Sequence, residues 1–75
     1  MAYNGHRNRN AWNVALWIGN DYGLYQLAKS CIRSTSNRDA AARKMLETLA
    51  AQGITHTPDG APYSVTTIKA AMEEV

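Results

Sequence analysis

The chain has 75 residues, 19% of them charged and 45% hydrophobic, with a formal net charge of +2. That length holds one domain at the small end of what folds without staples. The single cysteine, Cys31, excludes an internal disulfide, and no apolar run approaches the roughly 18–20 residues of a membrane-spanning helix.

Charge is unevenly spread along the chain. Residues 1–44 carry Arg7, Arg9, Lys29, Arg33, Arg38, Arg43 and Lys44 against Asp21 and Asp39, a balance of +5. Residues 45–75 carry Lys69 against Glu47, Asp59, Glu73 and Glu74, a balance of −3. Either a nucleic acid or an acidic partner suits such a basic half. An unpaired cysteine beside Ala28 and Ile32 points to a buried thiol in a reducing, cytoplasmic setting. Residues 1–9, polar and basic without period, read as a flexible arm, and residues 10–75 as a single helical domain.

Four helices are predicted, over residues 11–18, 21–34, 37–52 and 65–74, making a compact all-α bundle with a turn or small ribbon at 54–63. Both tryptophans and two tyrosines fall within residues 10–25, so the hydrophobic nucleus is expected there. Asn10 is the expected cap of the first helix, and Gly19 its left-handed end. Gly23 would allow the first helix to cross close to the second. Ser36 with Asp39 has capping-box spacing before the third helix, and Arg43 and Glu47 are placed to pair across one turn. Gly53 terminates that helix, with Ile54 folding back over its last turn. Thr57-Pro58-Asp59-Gly60 is a tight turn in which Asp59 caps backbone amides, and Ser64 caps the last helix. The expected core is Trp12, Leu16, Trp17, Leu24, Leu27, Cys31, Met45, Leu46, Leu49, Ile54, Ile68 and Met72.

Catalytic and cofactor signatures are missing. His6 and His56 have no cysteine or carboxylate at ligand spacing, there is no glycine-rich phosphate loop, and Cys31 lies on an apolar stripe. The expectation is a protein that is not an enzyme and binds no metal or cofactor.

Two resemblances cover different halves. Tyr3-Asn4-Gly5, then Trp12-Asn13-Val14-Ala15-Leu16-Trp17-Ile18, Asn20-Asp21 and Gly23-Leu24-Tyr25, resemble a group of small proteins of phages, plasmids and related mobile elements. The match departs where a tyrosine-glutamate-threonine run usually precedes the first tryptophan, replaced here by Arg9-Asn10-Ala11. Residues 46–72, with Leu49, Gly53-Ile54, Thr57-Pro58, Gly60, Tyr63-Ser64, Thr67-Ile68 and Met72, resemble the helix-turn-helix segment of large serine recombinases. The catalytic serine domain of those enzymes is absent from this sequence. The first resemblance carries no activity, only a mobile-element setting, which favours gene regulation or inhibition of a host defence nucleoprotein complex of anti-CRISPR or anti-restriction type. The partner contacts of such an inhibitor would come from Arg7, Arg9, Arg38, Lys44, Asp59, Glu73 and Glu74. The second implies a regulator that binds duplex DNA through Thr66, Lys69 and Ala70, although that face offers no arginine, asparagine or glutamine for base edges. A third possibility is an assembly module that dimerises through its aromatic segment.

Overall fold

The computed structural model describes residues 8–75. They form α1 (Arg9–Asn20), α2 (Tyr22–Arg33), α3 (Arg38–Ala51) and α4 (Val65–Met72), and among the described residues the extended structure is one isolated bridge, His56 with Pro62. α1 packs on α4 and α2, and α3 packs on the same two helices, so the four close into a ring around a shared core. The all-α bundle expected from the periodicity is the fold. The arm residues Tyr3, His6 and Arg7 lie outside the described residues, while Arg9 opens α1.

α1 starts earlier than its apolar pattern predicts, because Asn8 rather than Asn10 is the cap. Asn8 has extended backbone, and its Oδ1 accepts the Ala11 N–H at 2.9 Å. The helix also runs on through Gly19 to Asn20, so Gly19 is helical and makes no left-handed end. Asp21 alone joins α1 to α2. Its N–H donates to the Trp17 carbonyl, and its side chain accepts the Leu24 N–H at 3.0 Å, closing one helix and opening the next. Gly23 does not mark a close crossing: a Cβ there would meet only the Asp21 carboxylate, at 3.3 Å.

The joint between α2 and α3 is held by Thr35 Oγ1, which donates to the Cys31 carbonyl at 2.7 Å. Asn37, not Ser36, caps α3, accepting the Ala40 N–H at 2.8 Å. Asp39 is thereby free of capping duty and pairs with Arg43 at 2.9 Å, displacing the expected Arg43–Glu47 contact. α3 ends as predicted. Gly53 takes φ 78°, its N–H bonds the Ala50 carbonyl, and the Ile54 N–H bonds that of Leu49, the paired bonds of a Schellman stop. Beyond it the chain folds into the turn, with Gly60 at φ 91° and its N–H on the Thr57 carbonyl. Ser64 and Thr67 form a reciprocal capping box that opens α4. α4 is shorter than expected, and residues 73–75 continue only in single bonds to carbonyls three residues back.

The core is built from smaller side chains than the sequence suggested. Val14 and Ile18 of α1 meet Ala28 and Cys31 of α2, Ala41, Ala42, Met45 and Leu49 of α3, and Ile68, Ala71 and Met72 of α4. Ala61 and Tyr63 cover it from the turn. Alanines at the crossings let the backbones approach closely, which a 75-residue chain needs to fill its interior at native density. Of the expected core, Cys31, Met45, Leu49, Ile68 and Met72 are buried, and Leu24, Leu27 and Leu46 pack half-buried against it. Leu16 and Ile54 are instead exposed, at 39% and 36%. Trp12 and Trp17 are half-buried. The reason is angular: the inward face of α1 is fixed by Ala11, Val14 and Ile18, and Leu16 points away from it.

Candidate functional site

α1 and the turn after α3 are far apart in sequence and clamped together in space. Asn13 sits on the inward face of α1 and is buried, as is Thr57 at the start of the turn. A buried amide must find partners or lose the hydration it gave up. Thr57 Oγ1 donates to Asn13 Oδ1 at 2.6 Å and accepts the Ala61 N–H at 3.1 Å. Asn13 Nδ2 in turn donates to Asp59 Oδ2 at 2.9 Å. One helical turn on, Trp17 Nε1 donates to that same oxygen, also at 2.9 Å. Among the described residues no buried side-chain polar atom is left without a partner.

Asp59 therefore binds side chains of α1 and does not cap its own turn. The Asn13 amide and then the Trp17 indole hold its carboxyl below the ordinary carboxylate value, with a smaller contribution from the charge of Arg9. Asp59 is thus occupied inside the molecule, and Arg9, read from the sequence as a partner contact, is near enough to act on it electrostatically.

The clamp sets the far wall of a groove. Fixing the turn against α1 places Ile54, His56 and Pro58 opposite Trp17, Leu24 and Leu27, with Leu49 and Tyr63 also lining the space. The groove has a volume of about 620 Å³, and Asp21 and Gln52 complete its lining. Apolar side chains dominate, and Asp21 is the one carboxylate among the residues that line it, with no lysine or arginine. Burial pushes the Tyr63 phenol above its ordinary value, and the Asp21 charge pushes it the same way. His56 shares its Nδ1 with the Thr55 hydroxyl at 2.8 Å. A concave apolar surface with one fixed negative charge suits an apolar guest that carries a cation.

The remaining residues singled out in the sequence are scattered. Arg38 begins α3, and Lys44 lies further along it with Nζ donating to Ser34 Oγ at 2.8 Å. Glu73 and Glu74 are exposed beyond α4. Thr66 and Lys69 are exposed on α4, while Ala70 is half-buried. Across the two halves of the sequence, Arg9 acts on Asp59 and Lys69 acts on Asp39. Cys31 lies in the core, where burial pushes its thiol up, and it does not line the groove with His56. Among the described residues no three His, Cys, Asp or Glu side chains converge as metal ligands.

The groove-forming residues were not recognised as a site from the sequence. Trp17, Leu24, Leu27, Leu49 and Ile54 have the signature of core, Gln52 that of a helix end, and His56 and Pro58 that of a turn.

These features define a small all-α protein of four short helices with one turn locked onto its first helix. The chain belongs to DUF7249, a family of unknown function whose model matches residues 1–75. No curated protein and no solved structure matches it. Among the described residues no helix is long and apolar enough to cross a membrane.

Proposed function

We propose that this protein is a non-enzymatic inhibitor from a phage or other mobile element that binds a host defence nucleoprotein complex of CRISPR or restriction type. The observation that carries the binding part is the apolar groove between α1, α2 and the clamped turn. Its occupant is an apolar segment of the target's protein subunit bearing a lysine or arginine that reaches Asp21. Charge complementarity favours that guest, since Asp21 has no cation beside it in the lining. Burying one leucine-sized anchor contributes about 1.5–3 kcal/mol. The mobile-element setting and the choice of a defence complex rest on the resemblance of the first half.

Ile54 is the residue of choice for a test, because its side chain is 36% exposed and only its backbone N–H serves the α3 stop. Ile54→Glu is expected to keep the fold and lose capture of the target complex. Equal capture by the variant, or a dimer of this chain that forms through the groove, would overturn the proposal.

A further inference from the structure

The α2–α3 corner holds a second surface, formed by residues that do not line the groove. Lys29 and Arg33 lie four residues apart on α2, hence on one face, and Arg38 begins α3 after the short joint. Their side chains border a concavity of about 210 Å³ that Ile32 and Val75 complete. The Lys29 ammonium stands over the Tyr25 ring at 5.2 Å from its centroid, which restrains it. Lys44 is drawn to the same corner by its bond to Ser34 Oγ. Among the described residues the one ion pair is Asp39 with Arg43, so Arg43 is matched while Lys29, Arg33 and Arg38 have no carboxylate within bonding distance. Glu73 and Glu74 precede Val75 in the chain and limit the positive field on the α4 side.

Like charges gathered without counterions raise the free energy of a fold unless a polyanion is met there. Which polyanion follows from what the concavity lacks. No aromatic ring lines it, so it offers no platform on which unpaired bases could stack. No asparagine or glutamine lines it either, so adenine edges find no amide partner. What remains is one lysine and two arginines, whose charge suits the dense phosphates of a duplex. We infer that Lys29, Arg33 and Arg38 form a contact to the phosphate backbone of duplex DNA. The site is separate from the groove and from the exposed face of α4.

The test is fluorescence anisotropy of a labelled 20-base-pair duplex with the full chain, at several salt concentrations. With three phosphates engaged, the slope of log K against log salt should be about −2.7, so affinity should fall about 40-fold between 50 and 200 mM salt. Arg33→Glu with Arg38→Glu should lower affinity at 50 mM salt at least about tenfold and flatten the slope toward about −1. Arg33→Gln with Arg38→Gln, which keeps the side chains long and uncharged, should fall between wild type and the reversal. Circular dichroism melting of each variant confirms that the fold is retained. Lys69→Glu and Ile54→Glu should leave binding within about twofold of wild type, and the latter separates this site from the groove. No binding at 50 mM salt would overturn the inference. So would tighter binding of a single strand, equal binding of a polyglutamate peptide, or a loss with Lys69→Glu as large as that with the arginine reversals.

Discussion

One oxygen of Asp59 receives both the Asn13 amide and the Trp17 indole N–H. Those bonds favour the ionised carboxyl, so it titrates lower in the folded chain than in the unfolded one. The stability this adds is complete above the unfolded carboxylate value and is lost as pH falls through the lower folded value. Asp59→Asn should therefore reduce the melting temperature at neutral pH. It should also flatten the loss of stability on acidification, read by melting between neutral and strongly acidic pH. The Asp39 carboxyl is likewise held low by Arg43 and supplies a residual slope in the same direction. Asn13→Ala removes the acceptor of the buried Thr57 hydroxyl as well as a donor to Asp59, and should cost about 1–3 kcal/mol in chemical denaturation. None of this was legible beforehand. Asn13 stands 46 residues from Asp59, inside a run that reads as apolar helix, and nothing local announces which turn its amide will meet.

At the scale of elements, the glycines separate what was legible from what was not. Gly53 follows a strong periodic stripe, and only a left-handed residue lets the two backbone bonds of the Schellman stop form. Gly53→Ala should destabilise by about 1–2 kcal/mol. Gly19 looked similar because a polar pair follows it, yet it lies inside α1 with open space where a Cβ would point. Gly19→Ala should therefore stabilise by about 0.5–1 kcal/mol, the cost of glycine in an exposed helix. Destabilisation instead would mean that α1 ends before Gly19. Helix number, the third helix's end and the Ser64 cap were readable because their signals lie within a few residues of what they control. The start of α1 was not, because Asn8 and Asn10 are chemically equal caps and the choice depends on packing beyond the helix.

At the scale of the whole molecule, folding redistributes what the linear order suggested. Charges of the two halves meet in the fold, with Arg9 acting on Asp59 and Lys69 on Asp39. What the fold offers instead is local: an apolar groove with Asp21 in its wall, and a basic corner at the α2–α3 joint. The aromatic segment expected to be the nucleus contributes Val14 and Ile18 to the core and turns Trp17 to the groove. We propose that the groove grips a defence nucleoprotein and stops it. The most direct measurement is nucleic-acid cleavage by the complex captured from the natural host, titrated with wild-type protein and with Ile54→Glu. The proposal predicts full inhibition near one equivalent of wild type and little inhibition by the variant. Unimpaired cleavage at saturating wild type, or equal inhibition by both proteins, would contradict it.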